Sequence, residues 1–185
     1  MGQSSREYRN FNVEWREGED GKIRGHAAVF NIESNAGRYF REKVASGAFA
    51  DSIQKDDVRA LWNHDANYVL GRNVSSTLTL REDAQGLYYE IDPPDTQWAR
   101  DLIVSMKRGD ITQSSFGFEV IQEEWVEEKD ALPLRIIREA KLWDVSPVTY
   151  PFYEQTDVAM RSLDEFRNAS KPAEAESVHH TLNLR

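Results

Sequence analysis

The chain has 185 residues, 39% of them hydrophobic, 30% charged and 11% aromatic, the make-up of one soluble globular domain. Its net charge of −9 repels a phosphate backbone and no basic stripe offsets it, so nucleic-acid binding is not expected. No cysteine is present, which excludes disulfides, thiolate catalysis and cysteine-ligated zinc, and no run reaches the ~18 apolar residues of a membrane span, so a soluble cytoplasmic protein is expected.

Residues 1–10 are polar and read as a loose N-terminus. From Phe11 to Trp15 side chains alternate, Glu17-Gly18-Glu19-Asp20-Gly21 supplies a turn, and Lys22 to Phe30 resumes a strand, together a hairpin. A loop over 31–38 leads to a short helix within Ser46 to Ile53, and Val58 to Trp62 reads as a strand ending in Asn63-His64-Asp65. Thr77 to Leu80 and Leu87 to Ile91 flank Asp83-Ala84-Gln85-Gly86 as a second hairpin. After Pro93-Pro94, Asp95 or Thr96 is placed to cap a helix whose Trp98, Leu102, Ile103 and Met106 share one face, and Arg108-Gly109 ends it. Ile111 to Val126, Leu134 to Ile137 and Leu142 to Val148 are the last strands. Many short strands with two or three helices predict a mainly β fold, barrel-like, with helices packed outside. The folded part is expected to span 11–160, followed by a polar, flexible tail over 161–185 that is poorest in large apolar side chains from Asn168 onwards.

No phosphate-binding loop, zinc-protease helix, dinucleotide fingerprint or G-x-S-x-G elbow is present. Of the four histidines, His179 and His180 lie in the tail, leaving His26 and His64 as imidazoles for chemistry. In Gln113-Ser114-Ser115-Phe116-Gly117-Phe118, strand alternation puts Ser114 with Phe116 and Phe118 on the core face. Ser115 and Gly117 take the other face, where a residue without a side chain leaves room for a peptide backbone to approach. By that pattern alone the two serines read equally well as ordinary polar strand residues. A serine hydroxyl needs an imidazole within hydrogen-bond reach, and the imidazole needs a third group to fix its tautomer. His64 and Ser115 are candidates for the first two parts. Asp144 is the leading candidate for the third, with Glu139, Asp65 and His26 behind it, though Asp144 reads almost as well as an exposed strand charge.

Several short segments in order carry a resemblance: Gly25-His26-Ala27-Ala28-Val29-Phe30, Gly47-Ala48-Phe49, Asn63-His64-Asp65, Gly71-Arg72, Gly86-Leu87, Ser115-Phe116-Gly117-Phe118 and Asp144-Val145-Ser146-Pro147-Val148. From about Phe11 to about Val158 the chain resembles the prohead (capsid maturation) serine proteases of tailed bacteriophages, of the HK97 type, a family related to herpesvirus assembly proteases. The resemblance implies a closed, mainly antiparallel β-barrel ringed by helices, and a catalytic pair at His64 and Ser115. For the third member it implies an acid, here Asp144, where the herpesvirus enzymes carry a second histidine. It places the oxyanion donors, by analogy, at backbone N–H groups near Arg138. No cofactor or metal is implied. The expected function is an endopeptidase that cleaves the scaffolding segment of the major capsid protein, and its own tail, inside the assembling prohead in the host cytoplasm. Self-association as a dimer is compatible with the viral relatives. The rival readings are a catalytically silent scaffolding or capsid-assembly protein on the same fold and a plain binding module that uses the tail to recognise a partner.

Overall fold

Short apolar-alternating segments separated by turn residues pair into two sheets in a computed structural model that describes residues 6–11, 16–17, 21–35, 38–150 and 157–169. In chain order the elements are β1 (Glu7–Phe11), β2 (Arg16–Glu17), β3 (Ile23–Val29), β4 (Ser34–Asn35), β5 (Arg41–Val44), α1 (Ser52–Lys55), β6 (Arg59–Trp62), β7 (Asp65–Arg72), β8 (Leu78–Glu82), β9 (Gly86–Ile91), α2 (Gln97–Lys107), β10 (Gln113–Val126), β11 (Leu134–Val148) and α3 (Asp157–Ala169). The fold is mainly β with few helices, as expected.

The larger sheet runs β1-β10-β11-β5-β4, and β6 also pairs with β11 and carries β7. The strand β11 is long enough to take two parallel partners in succession, β5 along Leu134 to Ile137 and β6 at Asp144 and Val145. The smaller sheet is β2-β3-β9-β8. Among the described residues these ladders form two separate, mixed-direction and antiparallel sheets rather than one closed ring. Between the sheets lies a core that includes Phe49, Phe116, Phe118, Leu87, Tyr89, Ile91, Leu142 and Val145, closed by Ala99, Leu102 and Met106 of α2. The start and stop of α2 follow its sequence: the Thr96 side chain accepts from Ala99 N, and Gly109 takes a left-handed φ of 81° just beyond the last turn.

Several elements differ from expectation, among them the strands β4, β5 and β7, which the sequence pattern does not mark. The segment 46–53 is mostly turn, and only α1 is helical. The two predicted C-terminal strands are one strand, β11, in which Trp143 is the extra residue of a bulge: Gly117 pairs with Asp144, and Phe118 skips to Leu142. The N-terminus does not remain loose from residue 7 on. There β1 pairs antiparallel with β10, Glu7 opposite Phe118 through Phe11 opposite Ser114. The helix α3 occupies the first part of the expected tail, its Ala159 and Leu163 buried with Phe40 and its Phe166 stacked on Trp125 at 5.7 Å between ring centroids. Residues 170–185 lie outside the described residues.

The strand β1 is held by an ion cluster inside the fold. Glu7, Arg9, Glu42 and Arg135 are all buried. Arg9 Nε donates to Glu42 Oε1 at 2.5 Å and Arg9 Nη2 to Glu7 Oε2 at 2.8 Å. Arg135 reaches Glu7 through Nη1 and Nη2 at 2.9 and 3.0 Å, Glu42 at 3.0 Å, and Glu123 at 2.6 Å. Burial pulls the ionisation of both guanidinium groups down, but the carboxylates around them more than reverse this, so both stay above the ordinary arginine value.

Candidate active site

Register brings the candidate residues onto one face. Along β10, Phe116 and Phe118 are buried in the core, so Ser115 and Gly117 point the other way. Across the β10–β11 ladder Ser115 is opposite Ser146 and Gly117 opposite Asp144. Across the β1–β10 ladder Tyr8 is opposite Gly117. Residues opposite one another share a sheet face, so Tyr8, Ser115, Gly117, Asp144 and Ser146 form one patch, behind the layer that carries Arg9, Phe116 and Val145.

His64 reaches this patch from a hairpin. Trp62 pairs with Asp65, so Asn63 and His64 are the two central residues of a two-residue turn, with φ of 53° and 58°. Positive φ at both positions is the I′-type turn that matches strand twist. Asparagine tolerates it well, and Asn63 is also tied to the end of β11. Asn63 N donates to Pro147 O at 3.0 Å, Thr149 N to Asn63 Oδ1 at 2.8 Å, and Asn63 Nδ2 to Thr149 Oγ1 at 3.2 Å. The turn is thereby pinned beside Asp144, and the imidazole swings over the patch.

The contacts there are short and directed. His64 Nε2 lies 2.6 Å from Ser115 Oγ and His64 Nδ1 2.5 Å from Asp144 Oδ2. Asp144 Oδ2 also accepts from Ser146 Oγ at 2.9 Å, while Asp144 Oδ1 is buried with no hydrogen-bond partner. The Asp144 carboxylate oxygen facing the ring can only accept from it, so it holds the imidazole in the tautomer that carries its proton at Nδ1. With Nδ1 carrying the proton toward Asp144, Nε2 is the lone-pair nitrogen facing Ser115. The Ser115 hydroxyl is also 2.9 Å from the Arg9 carbonyl oxygen. It has one proton for these two acceptors. Ser115, Asp144 and Ser146 are buried, and the His64 side chain is 9% exposed.

Ser114 is excluded from the patch. Its Oγ lies 2.6 Å from Tyr89 OH on the opposite face, where burial pushes the Tyr89 hydroxyl up to about 12 despite the Ser114 bond, so the phenol stays protonated and cannot act as a base. The alternative third members lie elsewhere too. His26 Nε2 pairs with both Asp83 carboxylate oxygens at 3.0 Å. Asp65 Oδ1 caps Asn67 N at 2.8 Å, and Glu139 pairs with Gln122 far along β11.

Two expectations are corrected. Arg138 is not brought to the site: it stands six positions before Asp144 on β11, about 20 Å along a strand, and its exposed guanidinium binds Glu124 Oε2 at 2.6 Å. The backbone N–H groups beside it are therefore too distant to serve an oxyanion on Ser115. The space beside Gly117 is not open to a peptide backbone either. A Cβ there would lie 2.5 Å from Asp144 Oδ1 and 2.9 Å from Tyr8 Cε1, so the missing side chain makes room for the Asp144 carboxylate and the Tyr8 ring. Tyr8 and Ser146 are the site neighbours the sequence reading did not single out. For Ser146 the signal was available: two positions from Asp144, it lies on the same strand face.

Among the described residues no cluster suited to a metal ion occurs, and no helix is long and apolar enough to cross a membrane. The chain is 29% identical over 154 residues to the prohead protease of Enterobacteria phage HK97, a match that covers 80% of this chain and 64% of that protein's length. Among solved structures it is similar to the bacteriophage T4 capsid assembly protease, gp21, with a TM-score of 0.46 and 12% identity, covering 77% of this chain and 96% of that one. The model of the caudovirus prohead serine proteases matches residues 9–169, most of the chain, and the chain belongs to that family.

Proposed function

We propose that the chain is a serine endopeptidase of capsid maturation in which Ser115 is the nucleophile, His64 the general base and acid, and Asp144 the group that orients the imidazole and balances the charge it gains during the reaction. The observation that carries this reading is the hydrogen-bond chain Ser115 Oγ to His64 Nε2 at 2.6 Å and His64 Nδ1 to Asp144 Oδ2 at 2.5 Å. Ser115 Oγ attacks the scissile carbonyl carbon as its proton passes to Nε2, and Asp144 balances the imidazolium that forms. Collapse of the tetrahedral intermediate breaks the C–N bond while Nε2–H protonates the departing amine. Water then repeats the sequence on the acyl-enzyme, giving up its proton to Nε2 and releasing the acid and the free Ser115 hydroxyl. Ser146 donates to the Asp144 oxygen that faces His64, and so fixes the carboxylate plane.

Family membership supports a phage capsid as the setting. The substrates proposed are the scaffolding segment of the major capsid protein and the protease's own C-terminal tail, cut inside the assembling prohead. Closure of the two sheets into a barrel of the herpesvirus-protease kind, and self-association into a dimer, belong to the same reading.

The test is intact mass, followed over time, for the wild type and Ser115→Ala, each co-expressed with its own capsid protein. The wild type is expected to shed scaffold and tail peptides that the variant retains. Equal processing of the two proteins would remove Ser115 from the nucleophile role. Normal prohead assembly with no cleavage by either would replace the enzyme with an assembly factor.

A further inference from the structure

An aromatic ring that lies against His64 comes from the N-terminal strand β1. Tyr8 and His64 have ring centroids 4.4 Å apart and planes inclined at 56°. Hydrogen bonds at Nδ1 and Nε2 act in the plane of the imidazole and resist motion normal to that plane only weakly. His64 is also the second residue of a two-residue turn rather than a strand residue flanked by neighbours on its own face. Packing against the ring is what can stop it from rocking out of line with Asp144 and Ser115, and the Tyr8 ring packs against it in a tilted arrangement.

The placing of Tyr8 is itself over-determined. Opposite it on β10 stands Gly117, where a side chain would press on Tyr8 Cε1. On either side of it Glu7 and Arg9 are buried and locked to Glu42 and Arg135. Alternation along β1 sends these two charges into the fold and turns Tyr8 to the catalytic face. The same strand brings the Arg9 carbonyl to the Ser115 hydroxyl.

Taking Ser115, His64 and Asp144 in the roles proposed above, we infer that Tyr8 is a positioning residue of this protease: its ring holds the imidazole of His64 in the orientation that serves Ser115 and Asp144 together. What acts is the aromatic ring packed against the imidazole, so the phenolic oxygen is dispensable.

The experiment uses the full chain and a fluorophosphonate probe, in which a serine oxygen displaces fluoride from phosphorus as the serine proton leaves for the base. Saturation kinetics separate the maximal labelling rate from the apparent binding constant. Ser115→Ala must abolish labelling; if it does not, the site assignment fails before Tyr8 is in question. With that control met, Tyr8→Ala is expected to lower the maximal rate about tenfold, an effect of misorientation, with the binding constant moving less than about threefold. Tyr8→Phe is expected to stay within about twofold of the parent. Tyr8→Leu keeps apolar bulk on a strand but has no rigid ring. It is expected to behave like the alanine variant, and it decides the matter if that variant does not fold. In proton spectra the far-downfield His64 Nδ1–H resonance should broaden or vanish in Tyr8→Leu while the amide pattern of the rest of the chain persists. A parental maximal rate in Tyr8→Leu overturns the inference. So does an equal loss in Tyr8→Phe, which would make the hydroxyl the active part.

Discussion

At the scale of single residues, the site depends on what is missing from Gly117. Both atoms nearest to its absent Cβ belong to groups that meet His64, the Asp144 carboxylate and the Tyr8 ring. One methyl group there would force Asp144 Oδ1 back from 2.5 Å by at least half an ångström and would disturb the imidazole's contacts with both Asp144 and Tyr8. Gly117→Ala should therefore cost about 1–3 kcal/mol of stability as an overpacking change and lower the labelling rate of Ser115 about a hundredfold. The pairing of a urea melt with probe kinetics checks this; a fall in stability with full reactivity would mean that the carboxylate has somewhere else to go. Ser114 and Ser115 show how one strand position separates two chemistries. One hydroxyl is taken up by a phenol that burial keeps protonated, and the other meets an imidazole.

At the scale of elements, the hairpin β6–β7 acts as an arm with His64 at its tip. The base of the arm is clamped where Asp57 accepts from Arg72 Nε at 2.7 Å, and its tip is clamped by Asn63 to Thr149. Asn63→Ala removes both the tolerance of positive φ and the two side-chain bonds to Thr149. A loss of about 1–2 kcal/mol is expected, or a few degrees in melting temperature. Asn63→Gly, which keeps the backbone freedom, should recover part of it. In both variants reactivity at Ser115 should fall further than stability does, because the tip is where His64 is attached. Thermal melts of the two variants beside the parent, with probe labelling, distinguish this from a turn that is merely tolerant.

Much of this architecture was legible in the sequence, and the exceptions have physical causes. The hairpin β8–β9, the helix α2 and the core face of β10 follow from turn residues, a cap and alternation. The strand β5 was hidden because Arg41-Glu42-Lys43-Val44 reads as surface, whereas Glu42 is buried against two arginines brought from β1 and β11. Those partners are 33 and 93 residues away, beyond the reach of any local pattern. The N-terminal strand was missed for the same reason. The Asn63-His64 turn carries no glycine, so the usual hairpin signature was absent. For Ser115, His64 and Asp144, alternation could suggest the faces, but only ordered short segments resembling a family could pair them.

For the molecule as a whole, the two arginines and two glutamates behind β10 couple the N-terminus to the body of the fold. Removing one charge from such a set leaves its partners buried and unmatched, which costs about 3–5 kcal/mol. Arg135→Met is expected to destabilise by that amount, since it strips Glu7, Glu42 and Glu123 of a shared donor. Arg138→Met, which breaks an exposed pair with Glu124, should cost less than about 1 kcal/mol. Urea midpoints for the two variants make the comparison, and similar midpoints would show that the buried set contributes little.

The pairing of β1 with β10 also orders events in time. The Arg9 carbonyl meets a hydroxyl 106 residues further along, and Glu7 meets Arg135 at a separation of 128. A chain growing from its N-terminus therefore makes the strand that carries Tyr8 first and seats it among the last, because its neighbours do not yet exist. Asp144 emerges later still than Ser115 and His64. The young chain holds the serine and the histidine before it holds Asp144, so, on the roles proposed for these residues, the hydrogen-bonded set is first complete when synthesis has passed β11.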